Sequence, residues 1–200
     1  MEVKDKNNVL SGLAGRGKVI IEIGCGERKI APDAIGVDIV DGPNVDVVAD
    51  ISAGMSFLPN GSVDEIHAYH VIEHLPDTGL VMAEIHRVLK PGGRFLGAVP
   101  HFSNPYYYSD HTHKTFFGLY SFSYFTQHQP FSRKVPAHYN SLDFKIVRIK
   151  LVFWSPFKLI NVFRKIQGVV FNATRGMQEL YEGSCSNVFS VHEIAFVLEK

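Results

Sequence analysis

The chain has 200 residues, of which 46% are hydrophobic and 20% charged, a composition typical of one globular domain with a sizeable core. Twenty basic and twenty acidic side chains give a formal net charge of zero, so charge gives no reason to expect nucleic acid as a partner. Cys25 and Cys185 are far apart, which argues against a disulfide framework and favours a reducing, cytoplasmic location. No long uncharged apolar run predicts a transmembrane helix, and the first residues do not resemble a cleaved signal.

The first half of the chain alternates short apolar runs with turns rich in glycine and proline. Runs of this kind predict buried parallel strands, here at residues 18–23, 35–39, 45–51, 63–69 and 94–99. Apolar residues at helical spacing predict a helix over residues 78–89, ended by the Lys-Pro-Gly-Gly sequence at 90–93. Strands that alternate with crossovers predict an α/β sheet wound with right-handed connections.

Two closing strands and one further helix are predicted in the second half. Residues 144–153 and 192–199 alternate apolar and polar side chains in part, and we interpret them as an antiparallel pair at one edge of the sheet. Between them, residues 156–174 predict a helix with an apolar stripe on one side and basic residues on the opposite side. We interpret this helix as a cover for the sheet. The alternative is a basic amphipathic surface for a membrane or a lipid substrate. The stripe consists of Leu159, Val162, Phe163, Ile166, Val169, Val170 and Ala173.

A glycine turn and two strand-end acids suggest a nucleoside site. Gly24 and Gly26 follow the first predicted strand, where the lack of a Cβ lets backbone amides approach a ligand closely. Asp38 ends the next predicted strand, at a position where a carboxylate can accept hydrogen bonds from both hydroxyls of a ribose. Asp50 ends the third, within reach of an adenine amino group. Together these residues predict a nucleoside-binding edge of the sheet.

The sequence does not complete the fingerprint of a dinucleotide-binding site. In the pattern G-x-G-x-x-G, the third glycine position is occupied by Lys29. The interval between Gly26 and Asp38 is also too short for a crossover helix of the usual length. A nicotinamide dinucleotide is therefore a minor alternative.

Seven short motifs occur in a fixed order along the chain. They are IEIGCG at 21–26, VDI at 37–39, VVADI at 47–51, LPNGSVDEI at 58–66, HVIEHL at 70–75, RVLKPGG at 87–93 and DHTHKTFF at 110–117. As an ordered set they resemble the class I methyltransferases that depend on S-adenosylmethionine (SAM), and in particular their small type 11 branch. The resemblance covers residues 18–125 well and residues 144–200 more loosely.

The resemblance implies both a fold and a set of cofactor contacts. The implied fold is a Rossmann-like, doubly wound and mostly parallel sheet of seven strands, with the last strand antiparallel. The implied cofactor is SAM, with its methionine near the glycine turn, its ribose at Asp38, its adenine at Asp50 and its sulfonium beside His70. Arg28 departs from the family pattern because it stands at the usual third glycine. The cofactor-binding residues implied are Glu22, Gly24, Cys25, Gly26, Asp38, Ile39, Asp50, Ile51 and His70.

Polar and aromatic residues follow the fifth predicted strand, at the carboxyl edge where open α/β sheets bind ligands. The candidate catalytic residues are His113 and Asp110, as an acid–imidazole pair, together with His111 and His101. We predict that this cluster binds the methyl acceptor or removes its proton. The alternatives are a loop pinned by hydrogen bonds and, third, a metal site.

The segment from His70 to His74 matches the zinc-peptidase pattern H-x-x-E-H in sequence but not in context. A predicted strand precedes His70 and Pro76 follows His74 closely, whereas that chemistry needs both histidines one turn apart on a helix. We therefore predict no metal ligands at these two histidines.

These observations predict a single SAM-dependent methyltransferase domain over residues 1–200, with 100–136 and 156–186 as acceptor-side insertions. The expected acceptor is a small molecule, including a lipid or a sugar, and residues 156–175 are a candidate for peripheral membrane contact. The alternative is a non-catalytic module on the same fold that binds a nucleoside or a partner. A metallohydrolase is a third hypothesis.

Overall fold

A computed structural model describes residues 3–200 and contains one sheet of eight strands, ordered β1-β4-β3-β2-β5-β6-β8-β7. The strands are β1 (Lys4–Asp5), β2 (Ile20–Ile23), β3 (Ile35–Asp38), β4 (Val47–Val48), β5 (Val63–Tyr69), β6 (Leu89–Pro100), β7 (Lys145–Val152) and β8 (Glu193–Glu199). The helices are α1 (Thr78–Val88), α2 (Lys158–Phe171) and α3 (Arg175–Leu180).

The strand directions confirm a mostly parallel sheet with an antiparallel last strand. The neighbours from β4 through β3, β2 and β5 to β6 pair in parallel, whereas β8 runs antiparallel to both β6 and β7. The strand number corrects the expectation of seven, because β1 pairs antiparallel with β4 and adds an eighth at the edge. This strand has only Lys4 and Asp5, which carry no apolar pattern that would predict it.

The core explains the short apolar runs of the first half. In β2, Ile21 and Ile23 are fully buried and Glu22 between them is 3% exposed, as expected for a central strand covered on both faces. Helix α1 packs four buried side chains against the sheet, and the Asp77 carboxylate accepts a hydrogen bond from the Leu80 amide at its N-terminus.

The connection from β2 to β3, residues 24–34, contains turns and no regular helix. The buried Glu22 carboxylate holds this segment by accepting hydrogen bonds from the backbone amides of Ile30 and Ala31. The Lys29 ammonium pairs with Asp46, which also accepts a hydrogen bond from the backbone amide of Gly36. Lys29, which occupies the third glycine position of the dinucleotide pattern, therefore anchors the crossover to the sheet.

Helix α2 does not cover the sheet, which corrects our interpretation of its apolar stripe. Leu159 is 83% exposed and Phe163 is 69% exposed, and Phe171 is the one buried residue of the helix. The amphipathic pattern is present, but its apolar face turns toward solvent because periodicity defines a face without specifying what packs on it. Within residues 3–200, no helix has the length and apolar content needed to cross a bilayer.

The close approach of the crossover to β3 predicts a strict requirement for glycine at position 36. A Cβ at Gly36 would lie 2.7 Å from Cys25 Sγ and 2.8 Å from Lys29 Cε, and it would also meet the Asn44 carbonyl oxygen. We expect Gly36→Ala to lower the free energy of unfolding by about 1–3 kcal/mol, the usual cost of overpacking. Urea unfolding measures this loss. Gly17→Ala is the matched control, since a Cβ at Gly17 meets nothing within 4 Å. A Gly36→Ala protein as stable as the parent would contradict the packing described.

Candidate functional site

The carboxyl ends of β2, β3, β4 and β5 surround a pocket of about 280 Å³. This volume lies near the lower end of the range for small-molecule sites, which starts at about 300 Å³. The pocket contains six of the nine residues predicted to bind a cofactor, and five further ones. The lining residues are Gly24, Val37, Asp38, Ile39, Ala49, Asp50, Ile51, His70, Val71, His74 and Leu75.

The pocket is formed where two backbone segments approach each other. Gly24 has φ +66°, and a Cβ there would overlap the side chain of Val71, so only glycine fits. His70 has φ +56°, a left-handed conformation that is uncommon outside glycine and that clusters at functional sites. Its backbone amide donates a hydrogen bond to the Ala98 carbonyl oxygen over 2.9 Å, which holds this turn against β6.

Two carboxylates with fixed orientation line the pocket. Asp38 accepts hydrogen bonds from the backbone amides of Gly26 (2.9 Å) and Val40 (3.0 Å), one at each oxygen. Asp50 accepts a hydrogen bond from the Ser52 amide over 2.9 Å, and the hydrogen bonds with Ser52 lower the pKa of Asp50. Each carboxylate oxygen has a second lone pair for a ligand. The two acids give the pocket a negative potential that suits a ligand with hydroxyl groups and a positive charge.

The other three predicted cofactor residues lie behind the pocket. The Glu22 carboxylate accepts hydrogen bonds from the crossover, as described above. The Gly26 amide donates a hydrogen bond to Asp38 and so orients that carboxylate. Cys25 is buried with its Sγ 3.7 Å from the Asn44 carbonyl oxygen. Burial, with a smaller contribution from Asp38, raises the pKa of the Cys25 thiol to about 11, so the thiol stays protonated. These residues position the pocket wall without forming it.

His70 is paired with an acid from the last strand. Its Nε2 lies 2.8 Å from Glu193 Oε2. The bond to Glu193, and to a lesser degree the nearby Glu73, raises the pKa of His70 to about 9, while His70 lowers the pKa of Glu193. The imidazole is therefore charged at neutral pH and is compensated by Glu193.

The segment after β6 places His113 and Asp110 beside the pocket. The His113 ring stacks on Tyr107 with 4.5 Å between centroids, and it lies 4.7 Å from the ring of His74. His113 Nε2 is 3.7 Å from Asp110 Oδ2, an ion-pair distance too long for a hydrogen bond. The backbone carbonyl oxygen of Glu73 accepts hydrogen bonds from the amides of the next two residues after His113, which ties the segment to the turn at 70–75.

The two other candidate catalytic histidines do not reach this place. His101 is fully buried, with Nδ1 2.8 Å from Ser103 Oγ and Nε2 3.0 Å from Glu182 Oε2. His111 is exposed and forms no hydrogen bond or ion pair with any residue of the described range 3–200. The structure therefore brings together Asp110, His113 and His74, and it assigns His101 to an interior network.

Glu73 is the residue that the sequence reasoning missed. Its side chain is fully buried, and neither carboxyl oxygen has a hydrogen-bond partner among the described residues 3–200. The acidic position within H-x-x-E-H was its one signal, but that pattern was weighed only as a peptidase motif.

Part of this chain is similar to one protein family and to a curated relative. A family described as a methyltransferase domain matches residues 21–97, from β2 into β6. A curated relative from Mycolicibacterium smegmatis (strain ATCC 700084 / mc(2)155), described as a probable S-adenosylmethionine-dependent methyltransferase, is 35% identical over 100 residues. The match spans 42% of this chain and 38% of the relative's length.

Solved structures of low sequence identity share the fold. A SAM-dependent methyltransferase from Archaeoglobus fulgidus has a TM-score of 0.59 at 17% identity, over 98% of this chain and 94% of that one. A putative SAM-dependent methyltransferase from Listeria monocytogenes has a TM-score of 0.51 at 12% identity, over 98% and 96% of the two chains. At these identities the likeness establishes the fold alone.

The buried position of His101 predicts a structural role. We expect His101→Ala to lower the free energy of unfolding by about 2–4 kcal/mol, because it opens a cavity and removes one hydrogen-bond partner each from Ser103 and Glu182. Chemical denaturation measures this loss. His111→Ala serves as control and should stay within about 0.5 kcal/mol of the parent, as exposed substitutions do. Equal stability of the two variants would argue against the network around His101.

Proposed function

We propose that this chain is a class I SAM-dependent methyltransferase and transfers the methyl group of SAM to an acceptor bound between the pocket and residues 101–117. The observation that carries the proposal is the pair of oriented carboxylates, Asp38 and Asp50, at adjacent strand ends within the region that matches the family. The acceptor class proposed is a small molecule, including sugars and lipids.

The residues present fit SAM. Asp38 offers free lone pairs to the ribose hydroxyls, and Asp50 with Ile51 forms the wall for adenine. Arg28 does not line the pocket, so its departure from the family pattern leaves the cavity open. The short crossover also leaves it open, because Glu22 and Lys29 hold the loop against the sheet.

When bound, SAM supplies an activated methyl group on a positively charged sulfur. The protein's part is placement. Residues 101–117 lie against the turn at 70–75, and hydrogen bonds between the two backbones fix their relative position. Such fixed placement of two reactants contributes up to about 7–11 kcal/mol to lowering a barrier.

Cofactor binding is tested by calorimetry with S-adenosylhomocysteine. We expect Asp38→Asn to weaken binding about 10- to 100-fold, since a hydrogen bond to a charged group contributes about 1.5–3 kcal/mol. Asp41→Asn is the matched control because Asp41 pairs with Lys4 and Lys6 and does not line the pocket. Unchanged affinity in Asp38→Asn would contradict the site.

Turnover separates the enzyme from a binding module. The measurement is S-adenosylhomocysteine release from SAM over a panel of small-molecule, sugar and lipid acceptors. Tight cofactor binding without release from any acceptor would favour the non-catalytic nucleoside-binding alternative.

We further propose that the exposed face of α2 contacts an anionic phospholipid bilayer. The apolar face is formed by side chains that are about half or more exposed: Leu159, Val162, Phe163, Ile166, Val169 and Val170. Residues 144–178 contain seven basic and no acidic side chains, in a chain whose net charge is zero. An apolar helix face with a basic surround is the arrangement of helices that lie in the membrane interface.

A basic cavity adjoins the C-terminal end of α2 and supports a lipid surface over another partner. It has a volume of about 350 Å³, and Arg148, Lys150 and Arg175 line it together with residues that follow the helix. Within residues 3–200, none of these three cations forms an ion pair. Unpaired cations beside an exposed apolar face match the phosphate groups and acyl chains of an anionic membrane surface.

Vesicle cosedimentation tests this surface. We expect binding to phosphatidylcholine vesicles that contain phosphatidylglycerol, weakened by salt and absent without the anionic lipid. Phe163→Asp should reduce the binding constant by about tenfold or more, because burial of a Phe side chain contributes about 1.5–3 kcal/mol. Tyr139→Asp changes an equally exposed aromatic residue elsewhere and is the control. Equal binding of both variants, no binding by the parent, or a stable dimer dispersed by Phe163→Asp would contradict the proposal.

A further inference from the structure

The buried Glu73 carboxyl group lies among histidines without a hydrogen bond. Its side chain is 0% exposed, and within the part of the chain that the structure describes neither oxygen has a hydrogen-bond partner. The nearest ring nitrogens are His70 Nδ1 at 3.5 Å and His74 Nε2 at 4.0 Å from Oε1, neither in hydrogen-bonding geometry. The charged His70 ring compensates Oε1 only in part, and a buried carboxyl group whose oxygens take part in no hydrogen bond is unfavourable, so a further partner is expected.

Three potential ligand atoms converge at this point. One atom each from Glu73, His74 and His113 lies within 4.8 Å of the other two. Tetrahedral ligands of one zinc ion lie about 3.4 Å apart, so modest side-chain rotations would bring the three to a common ion. His70 is not part of this set, and its Nε2 is paired with Glu193. The arrangement differs from the peptidase pattern H-x-x-E-H, and it gives His74 a ligand role that the sequence did not predict.

The hydrogen bonds of both rings are made at Nδ1 and leave each Nε2 without a hydrogen bond among the described residues. His113 Nδ1 lies 2.9 Å from the Tyr107 carbonyl oxygen, which can only accept, so Nδ1 carries the hydrogen. His74 Nδ1 lies 2.8 Å from Thr112 Oγ1, whose own hydroxyl donates to Asp110 Oδ1 over 2.6 Å. Thr112 therefore accepts from His74 Nδ1. In the neutral ring each Nε2 then presents a lone pair, as in metal sites whose histidines are oriented by carbonyl or carboxylate partners.

We propose that Glu73, His74 and His113 bind a divalent transition-metal ion at the acceptor end of the pocket. Two imidazoles and one carboxylate favour Zn²⁺, Fe²⁺, Mn²⁺ or Co²⁺ over Mg²⁺ and Ca²⁺, which prefer oxygen ligands. Three protein ligands leave coordination positions open, and His74 also lines the pocket, so the open side adjoins the cofactor.

The substrate class that follows rests on the proposed function. An acceptor with a hydroxyl group can occupy an open coordination position, and a bound metal ion lowers the pKa of such a group. The site therefore favours hydroxyl-bearing acceptors over amines that stay protonated. The sequence motif DHTH at 110–113 is explained in the same terms, since it supplies one ligand, His113, and the pair that orients His74.

The test uses the full chain, freed of metal by chelation and dialysis, in a Co²⁺ titration followed by visible absorption and a Zn²⁺ titration by calorimetry. We expect one site per chain. Glu73→Gln and His113→Ala should each weaken it more than 10-fold, and Thr112→Val about 10-fold, the usual effect of removing an orienting partner. His111→Ala is the matched control, since this neighbouring exposed histidine is outside the set and should leave affinity unchanged.

Thermal unfolding keeps the test valid if a variant folds poorly. Without metal, Glu73→Gln should unfold at the same or a higher temperature than the parent. The substitution replaces a buried ionisable carboxyl group by a neutral amide of the same shape. Zn²⁺ should raise the unfolding temperature of the parent and not that of Glu73→Gln. No Co²⁺ binding by the parent, or equal binding by parent and both ligand variants, would overturn the proposal.

S-adenosylhomocysteine calorimetry on the same metal-free samples separates the two claims. Cofactor binding without Co²⁺ binding would remove the metal site and leave the methyltransferase proposal standing. Co²⁺ binding without cofactor binding would remove the methyltransferase proposal and leave the metal site standing.

Discussion

The cofactor edge depends on how an eleven-residue connection, residues 24–34, joins two parallel strands without a helix. Buried Glu22 supplies the acceptors that a helix would otherwise provide within itself, and the Lys29–Asp46 pair anchors the loop to the sheet. The loop lies so close to β3 that Gly36 has no room for a side chain. Because the same loop holds the Gly26 amide against Asp38, the orientation of the Asp38 carboxylate follows from the packing of the crossover.

Much of the fold could be predicted because local patterns and tertiary packing agree. Strand β5 has the predicted limits, 63–69, since a turn rich in polar residues and glycine precedes an apolar run. Helix α1 and β6 meet at the predicted place to within a few residues. Helix α2 was predicted from periodicity, but the interpretation that it covers the sheet was wrong. An apolar stripe has the same spacing whether protein, lipid or solvent lies against it.

The candidate site, too, could be predicted from the sequence only in part. Asp38 and Asp50 were predictable because the carboxyl ends of parallel strands meet at one edge, so strand-end acids converge. The contact between His74 and Thr112, and the backbone hydrogen bonds that tie Glu73 to the residues after His113, join positions more than thirty residues apart and have no local signature. For the same reason His101 and His113 are equivalent in sequence, although one is interior and the other borders the pocket.

A crystal structure of the chain with S-adenosylhomocysteine tests the central claim, that the edge between Asp38 and Asp50 holds an adenosine. We expect the ribose hydroxyls on Asp38, the adenine beside Asp50 and Ile51, and the sulfur end directed to the turn at 70–75. A ligand bound elsewhere, or a pocket that stays closed in crystals saturated with the ligand, would contradict the account.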